Sequence, residues 1–309
     1  MRKHVSLFVA IAMGLSIGLV SCNPDEPDDQ KNNGKEEDEV FVSTTPQTSN
    51  VLVEELTGIG CQYCPDGHKL CDSLTEAYNG RFYSINIHTG GYATGRTPDY
   101  TTPEGDTLRT WFGVSGYPNG YVNRIVWRTS SGNTIALGRG YFPSCADMII
   151  SGSTSMGNAY ANVAAKATIN KSTRELKVKV QVYYTGETTD TTAVHVAIVQ
   201  NGLKSTQSGA STWYPEHYDA ATGMYTHYHM LRKLLSGPMG DVIENKGVNT
   251  MVTKTYVYTI PETLGNGNIE AVLENLEVMA FITTNRTLSN GKTYPYPIIN
   301  VCKSELSFK

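Results

Sequence analysis

The sequence predicts an α/β domain followed by an all-β domain, and two patterns carry this prediction. A Cys-x-x-Cys motif, Cys61 to Cys64, lies between a short apolar run that begins at Val51 and a stretch with helical character. The C-terminal half instead contains several runs in which apolar and polar residues alternate, most of them separated by short turns. With 309 residues, the chain is long enough to form two domains.

The N-terminus has the pattern of an export signal. A basic start, Met1–His4, precedes the apolar stretch Val5–Val20, which is too short to span a membrane comfortably. The stretch ends in Leu-Val-Ser-Cys, which resembles the lipobox of bacterial lipoproteins. We therefore expect a signal peptide over residues 1–21 and acyl groups on Cys22, which would anchor the protein in the outer membrane, on its periplasmic face or at the cell surface. The alternative is ordinary cleavage after Ser21, which would leave a soluble periplasmic protein.

Residues 22–47 are predicted to form a disordered acidic linker, because so polar a stretch cannot bury enough apolar surface to fold. Its acidic residues are Asp25, Glu26, Asp28, Asp29, Glu36, Glu37, Asp38 and Glu39. Their position after Cys22 also resembles the signal that carries some Bacteroidetes lipoproteins to the cell surface. A plain solvated spacer is the alternative.

The first domain is predicted over residues 48–152 and should alternate strands with helices. The expected elements are a strand from Val51, a helix from the Cys-x-x-Cys motif to about Asn79, a strand over Arg81–His88, a helix over Pro103–Phe112, strands over Asn119–Asn123 and Ile125–Arg128, and a helix over Ser144–Ile150. Pro103 suits the first turn of its helix, because the N–H that proline lacks has no helical partner there.

The second domain, residues 158–309, is predicted to be an antiparallel β-sandwich of the immunoglobulin-like type. Residues 177–182 alternate polar residues with valine, which is typical of a strand with one buried face. The expected strands are Ala161–Asn170, Glu175–Tyr184, Ala193–Gln200, Thr253–Ile260, Leu276–Thr284 and Ile298–Val301. Residues 202–252 are too many for a hairpin loop, so we expect an insertion rich in aromatic residues and histidine, with a short helix over Met230–Leu235.

Two motifs together resemble the thioredoxin-like superfamily. The Cys-x-x-Cys motif follows a strand, and Gly116-Tyr117-Pro118 precedes another strand further along the chain. The resemblance implies a cis Tyr117–Pro118 bond and a Pro118 ring that faces the dithiol. The Leu-Val-Glu-Glu run before the motif and the later His229-Met230-Leu231-Arg232 add a narrower resemblance, to the Omp28-related outer-membrane lipoproteins of Bacteroidetes. That family is defined by location and fold, so the resemblance implies little about activity.

Cys61 and Cys64 have three candidate uses. In thiol–disulfide exchange, Cys61 would be the more exposed nucleophile and Cys64 would resolve the mixed disulfide, because a helix N-terminus stabilises a thiolate. Since disulfides persist in exported proteins, a permanent structural bridge is the alternative. Zinc is the third use, with His68 and Cys71 as further ligands. However, four ligands spread over ten helical residues, about 15 Å, cannot converge on one ion.

The thioredoxin-like resemblance also implies a buried carboxylate beneath the dithiol. Such a group would have a raised pKa and could shuttle a proton. Alignment of the Val-Leu-Val-Glu pattern favours Glu54 for this role, whereas counting back from Cys61 favours Glu55. A surface glutamate at the end of a strand is the alternative for each.

The remaining features give no indication of a cofactor. The mature sequence lacks a phosphate loop and a dinucleotide fingerprint, and a net charge of −4 without a basic patch argues against nucleic acid. His227 and His229, with His217 nearby, could bind a metal, but no carboxylate or cysteine has matching spacing. We therefore expect no metal site, and an aromatic segment that packs on the first domain or faces a ligand.

Three cysteines remain outside the Cys-x-x-Cys motif and the predicted lipid anchor, and three cannot all form disulfides with one another: Cys71, Cys145 and Cys302.

Two functions follow from the sequence. The first is a lipid-anchored outer-membrane protein that acts as a binding or adhesion module, with exported or surface proteins or glycans as partners. The second is a thiol–disulfide oxidoreductase that acts on exported proteins through Cys61 and Cys64. The sandwich and its aromatic insertion favour the first function, and the Cys-x-x-Cys motif with Pro118 favours the second. An active dithiol would have a reduction potential between roughly −270 and −120 mV, with selective alkylation of Cys61.

Overall fold

The computed structural model describes residues 39–114, 116–154, 159–244, 247–288 and 290–309. The predicted signal peptide, Cys22 and most of the predicted linker lie outside these residues. Within them, no helix has both the length and the apolar character needed to cross a membrane.

The last residues of the predicted linker are ordered on the fold. Val42 is buried, and the backbone N–H groups of Phe41 and Val42 donate hydrogen bonds to Oε1 of Gln181. The side-chain amide of Asn162 donates to the carbonyl oxygen of Ser43. The prediction of a disordered linker as far as residue 47 is therefore wrong at its C-terminal end, because one apolar side chain and two strand amides hold this segment in place.

The first part of the fold follows the predicted alternation of strands and helices. Its strands are β1 (Val51–Thr57), β2 (Phe82–His88), β3 (Asn119–Val122), β4 (Trp127–Thr129), β5 (Gly132–Thr134) and β6 (Ala136–Gly138), and its α-helices are α1 (Cys64–Ala77), α2 (Pro103–Phe112) and α3 (Phe142–Ile150). Helix α2 has the predicted bounds. Thr102 caps it by accepting a hydrogen bond from the backbone N–H of Gly105 at 3.1 Å.

The second part is almost entirely β-structure. Its elements are β7 (Ala161–Asn170), β8 (Glu175–Tyr184), β9 (Thr192–Gln200), β10 (Leu203–Ser205), α4 (Ala210–Trp213), β11 (Tyr218–Asp219), β12 (Met224–His227), β13 (Met230–Leu234), β14 (Asp241–Ile243), β15 (Met251–Thr259), β16 (Thr263–Leu264), β17 (Ile269–Glu270), β18 (Leu276–Thr287), β19 (Thr293–Lys303) and β20 (Glu305–Phe308). The fold as a whole is therefore dominated by mixed β-sheets with few helices.

One large sheet crosses the predicted domain boundary. Its strand order is β19-β18-β9-β13-β2-β1-β3-β6, with β14 also paired to β9. Strand β13 pairs in parallel with β2 and antiparallel with β9, so it joins the two predicted domains. Residues 40–309 accordingly form one compact unit.

The predicted helix over Met230–Leu235 is a strand in the structure, so that prediction is wrong. Met230, Leu231 and Leu234 are buried in β13, and the carbonyl oxygen of His229 accepts a hydrogen bond from the backbone N–H of Asn86 in β2 at 2.7 Å. A short apolar run can form a helix or a strand, and its long-range partners decide which.

A second sheet, in the order β15-β8-β7-β20, packs against the β9 and β18 end of the large sheet. Between them lies a core that includes the valines of β8 at positions 178, 180 and 182 and those of β9 at 194 and 196, all fully buried. The predicted valine alternation is thus the buried face of β8. Strand β20 pairs in parallel with β7, so this sheet is not purely antiparallel.

Strand β1 is buried on both faces of the large sheet. Val51 and Val53 face a cluster that includes residues of α1 and α3, whereas Leu52 and Leu56 face a cluster that includes Leu108 of α2. Because successive side chains of a strand point to opposite faces, the adjacent Glu54 and Glu55 lie on different sides of the sheet.

Candidate functional site

The two cysteines of the motif form a disulfide at the end of β1. Cys61 lies in the turn that follows the strand, and Cys64 is the first residue of α1, with a Cα–Cα distance of 5.5 Å between them. Cys61 is 2% exposed and Cys64 is fully buried. The expectation that Cys61 presents an exposed sulfur at the helix start is therefore wrong, because another segment of the chain covers it.

The covering segment is residues 205–213, from the end of β10 through α4. The side chain of Gln207 donates hydrogen bonds to the carbonyl oxygens of Cys61 at 2.9 Å and Gly58 at 3.2 Å. The backbone N–H of Ser208 donates to the carbonyl oxygen of Ile59 at 2.8 Å. The carbonyl oxygens of Gly58, Ile59 and Cys61 are thus hydrogen-bonded within the chain.

Gly209 completes this contact because it lacks a side chain. A Cβ atom at this position would lie within 3.0 Å of the carbonyl oxygen of Gln62, and the residue has a φ of +73°. Both the close approach and the left-handed backbone require glycine. The covering segment therefore lies directly on the backbone of the disulfide loop.

Aromatic and charged residues extend the contact along α1. The rings of Tyr63 and Trp213 meet edge to face with centroids 5.5 Å apart. The hydroxyl of Tyr214 donates to Asp72 at 2.9 Å, and Lys69 forms a salt bridge with Glu216 at 2.7 Å. The predicted packing of the aromatic insertion on the first domain is confirmed by these contacts.

The two candidate carboxylates have different partners. Glu54 forms a two-point salt bridge with Arg124, with Nε and Nη2 each 2.6 Å from a carboxylate oxygen. Both side chains are buried, and the guanidinium lies over the rings of Phe112 and Phe281. Arg124 also donates to the carbonyl oxygen of Pro295 at 3.0 Å. Glu54 is thus a neutralised structural group on the α2 side of the sheet.

Glu55 lies on the other side, against helix α1. Its Oε2 accepts a hydrogen bond from the thiol of Cys71 at 3.7 Å, and its Oε1 has no hydrogen-bond partner among the described residues. Burial raises the pKa of Glu55 well above its ordinary value of 4.5. Cys64 and Cys71 are seven residues apart and so occupy the same face of α1. Glu55 is therefore the buried acid on the disulfide side of the sheet.

Gly67 brings this acid and Pro118 together. A Cβ atom on Gly67 would lie within 3.0 Å of Oε1 of Glu55 and 3.1 Å from Cγ of Pro118. The Tyr117–Pro118 peptide bond is cis, as predicted. Sequence reasoning missed Gly67, although a glycine inside a helix costs about 1 kcal/mol relative to alanine and so indicates a close packing contact.

Two histidines of this region, His68 and His227, are buried and hydrogen-bonded. Nε2 of His68 lies 3.0 Å from Oγ1 of Thr57 and its Nδ1 lies 3.1 Å from the hydroxyl of Tyr225, while burial lowers its pKa to about 3. His227 is also buried and hydrogen-bonded, to Ser205 at 2.8 Å. In the described parts of the chain, no three His, Cys, Asp or Glu side chains are grouped as metal ligands would be.

His217 and His229 have different neighbours. The ring of His217 stacks on Tyr214 with a centroid distance of 4.0 Å, whereas Nδ1 of His229 lies 3.5 Å from Glu277. The cysteines outside the motif that the structure describes are free thiols, namely Cys71, Cys145 and Cys302. Burial raises the pKa of Cys145 to about 11 and that of Cys302 to about 12, so neither is a ready nucleophile at neutral pH.

Comparison with known proteins gives a family and a fold. The model of the family described as outer membrane protein Omp28 matches residues 105–306, which is more than half of the chain. This region begins after the Cys-x-x-Cys motif and includes Pro118 and the covering segment. Among curated proteins, none matches this chain.

Two solved structures are similar at low sequence identity. HBP35 of Porphyromonas gingivalis has a TM-score of 0.60 and 19% identity, over 84% of this chain and 76% of that chain. Protein AGR_C_4864 from Agrobacterium tumefaciens has a TM-score of 0.50 and 11% identity, over 84% of this chain and 96% of that chain. At these identities the similarity is one of fold alone.

Proposed function

The chain belongs to the Omp28 outer membrane protein family, and on that premise we propose that it is a lipid-anchored binding module of the outer membrane whose Cys61–Cys64 disulfide is structural. In this proposal the first part of the fold is a thioredoxin-like unit that serves as a scaffold. The placement of the motif after β1 and of a cis proline before the antiparallel strand β3 supports that assignment.

The observation that carries the proposal is the covering of the disulfide by the chain itself. An exchange-active dithiol needs one accessible sulfur for the attacking or attacked thiol. Here both cysteines are buried, and Gln207 and Ser208 donate hydrogen bonds to carbonyl oxygens of the loop that contains Cys61. A closed disulfide of this kind stabilises the loop and leaves no site for exchange.

Exposed aromatic rings support a binding role for the surface above the disulfide. Tyr63 is 47% exposed although it contacts Trp213. The Cζ atom of Arg139 lies over the ring of Tyr63, 6.0 Å from its centroid. Tyrosine, tryptophan and arginine are enriched at binding surfaces because they offer large contact area together with hydrogen-bonding groups. Exported or surface proteins and glycans are the expected partners.

Thiol–disulfide exchange is the second candidate, and Glu55 is the observation that favours it. A buried acid with a raised pKa beside the helix of the dithiol is suited to move a proton to or from the resolving cysteine. The Pro118 ring also lies 3.1 Å from the Cβ position of Gly67, in the helix that begins at Cys64, and this supports the same candidate. This function would require residues 205–213 to leave the disulfide loop.

The reduction potential of the full-length, detergent-extracted protein separates the two candidates. A value below about −300 mV is typical of a structural disulfide and would support the binding module, whereas a value between roughly −270 and −120 mV would support an oxidoreductase. The matching cellular test is the Cys64→Ala variant. An oxidoreductase would accumulate mixed disulfides between Cys61 and exported proteins, and a structural bridge would not.

The lipid anchor is tested independently of the disulfide. In cells labelled with radioactive palmitate, the wild-type protein should carry the label and sediment with membranes, and the Cys22→Ala variant should do neither. Membrane retention of the variant together with an unlabelled wild type would contradict acylation at Cys22.

A further inference from the structure

A cavity far along the sheet from the disulfide loop has the lining of a small-molecule site. It has a volume of about 480 Å³ and lies between the C-terminal end of α1, the start of β2, and strands β18 and β19. Its lining includes the apolar side chains of Phe82, Tyr83 and Met279, and the polar or charged residues Ser84, Glu76, Glu277 and Lys303. Volumes of roughly 300–1,000 Å³ with this mixture of surfaces are typical of ligand pockets.

The pocket exists because the large sheet opens at this end. Strand β13 pairs with β2 at only one position, Met230 with Asn86, so the first residues of β2 have no neighbour on that side. The backbone N–H of Asn86 donates toward β13, to His229. The N–H of Ser84, two residues earlier, points the same way because the strand period is two, and so it faces the gap.

One polar side chain in the pocket is buried but lacks a partner. Ser84 is 3% exposed, and its hydroxyl makes no hydrogen bond within the part of the chain that the structure describes. Buried hydroxyls are normally hydrogen-bonded, because leaving one unpaired costs free energy. An unpaired hydroxyl and a backbone N–H at one wall are therefore groups that a bound ligand can satisfy.

Two carboxylates line the pocket: Glu76 is exposed, and Glu277 is paired with charged neighbours. Glu277 lies 3.3 Å from Lys303 on one side and 3.5 Å from Nδ1 of His229 on the other. Its neighbours hold the carboxylate ionised, with a pKa lowered to about 2. An added ion would have to displace one of these pairings, whereas a neutral ligand can accept and donate hydrogen bonds without disturbing them.

We propose that this pocket binds a neutral, hydroxyl-rich ligand with one apolar face, that is, a monosaccharide unit of a glycan. The ring C–H groups would lie on the partly exposed ring of Tyr83, and the hydroxyls would reach Ser84, Glu277 and Lys303. This inference rests on the proposed binding function and deepens it by naming a site and a ligand class. It does not depend on the disulfide or on the lipid anchor.

The test is direct binding of free sugars to the full-length protein in detergent. Saturation-transfer NMR with D-galactose, D-mannose and N-acetyl-D-glucosamine, each offered separately, should show transfer to the ring protons of at least one sugar. L-Leucine, offered in parallel as a zwitterion of similar size, should show none. Absence of transfer to every sugar, or transfer to L-leucine alone, would overturn the proposal while leaving the tests of the anchor and the disulfide unaffected.

Four variants locate the binding. Ser84→Ala should raise the dissociation constant of the bound sugar by about tenfold or more, since it removes a hydrogen bond inside the pocket. Glu277→Gln should have a similar effect, because it replaces a charge-assisted hydrogen bond with a weaker neutral one. Glu175→Gln and Ser307→Ala make the same chemical changes at exposed positions outside the pocket and should leave the constant unchanged. Ser84→Ala removes only an unpaired oxygen, so its fold is expected to be intact. An unchanged constant in both pocket variants would assign the binding elsewhere and refute this site.

Discussion

Glu55 and Gly67 are in contact across the interface between the sheet and helix α1, and the missing side chain of the glycine makes that contact possible. A Cβ atom at position 67 would lie within 3.0 Å of Oε1 of Glu55. The close approach of the buried acid to the helix that begins at Cys64 therefore depends on the glycine at position 67. Four predictions follow from this and related contacts.

The Gly67→Ala substitution should destabilise the protein although it improves helix propensity. Alanine gains up to about 1 kcal/mol as a helix former, whereas overpacking a filled site costs about 1–3 kcal/mol, and the Glu55 carboxylate has little room to move. We expect a net loss of about 1–2 kcal/mol in urea unfolding with an unchanged m-value. Gly91→Ala is the control, because the described residues leave open space around its Cβ position. Equal effects at the two positions would contradict the contact.

The buried pair of Glu54 and Arg124 should show strong coupling. Replacing only Arg124 by Met leaves an unpaired buried carboxylate and should cost about 3–5 kcal/mol of unfolding free energy. The double variant Glu54→Leu with Arg124→Met should recover a large part of that loss, since it removes the second charge as well. Breaking the exposed pair of Lys69 and Glu216 by Glu216→Gln should have no measurable effect. Losses that simply add in the double variant would disprove the coupling.

The Glu55 carboxyl should make stability fall as the pH rises above 4.5. Its pKa is raised by burial, so between 4.5 and the pKa of the folded state the folded protein binds one proton more than the unfolded chain. Its contribution is complete below pH 4.5 and is lost as the pH rises through the folded pKa, with a slope of up to about −1.4 kcal/mol per pH unit.

The buried histidines change the free energy of unfolding in the opposite direction, making the protein less stable as the pH falls. Burial lowers the pKa of His68 and His227 to about 3, so their contribution is lost as the pH falls below 6.5. Glu55→Gln should therefore be compared with the wild type from about pH 5 to about pH 8.5, because the histidines contribute equally to both proteins and cancel in the difference. The difference in unfolding free energy should shift in favour of the variant as the pH rises, and a constant difference over this whole range would contradict a raised pKa of Glu55.

Loosening the covering segment should expose the disulfide. Gln207→Ala removes the hydrogen bonds to Cys61 and Gly58, each worth about 1 kcal/mol, so the open form should become about 30-fold more populated. The rate of reduction by dithiothreitol, followed by alkylation and mass spectrometry, should rise by the same factor. Gln47→Ala, at an exposed glutamine, is the control. An unchanged rate would mean that residues 205–213 do not limit access to the sulfurs.

Local signals predicted the elements that depend on local contacts. Helix α2 has its predicted bounds because Pro103 and the cap at Thr102 define its start, and β7 and β8 have theirs because valine and alanine alternate with polar residues. The cysteine pair and the cis Tyr117–Pro118 bond followed from motifs. The motifs did not decide whether Glu54 or Glu55 is the buried acid near the disulfide, because that depends on which face of β1 meets α1.

The features that were missed all depend on distant partners. Strand β13 was predicted as a helix because its apolar residues do not reveal that β2 and β9 lie on either side of it. The contact of Gln207 with Cys61 joins residues 146 positions apart, and no local pattern indicates it. Sequence reasoning therefore identified the disulfide but not the segment that closes it.

The large sheet contains strands from both predicted domains, and this determines the order in which the fold forms. A polypeptide leaves the ribosome and any export channel N-terminus first, so β1, β2 and both cysteines of the motif emerge before β13 and the covering segment exist outside. Long-range strand pairing of this kind is slow, because the chain must close a large loop first. The sulfurs are consequently open to oxidants during maturation and closed once the last strands have docked, so the same bond is easy to form in the nascent protein and hard to reach in the finished one.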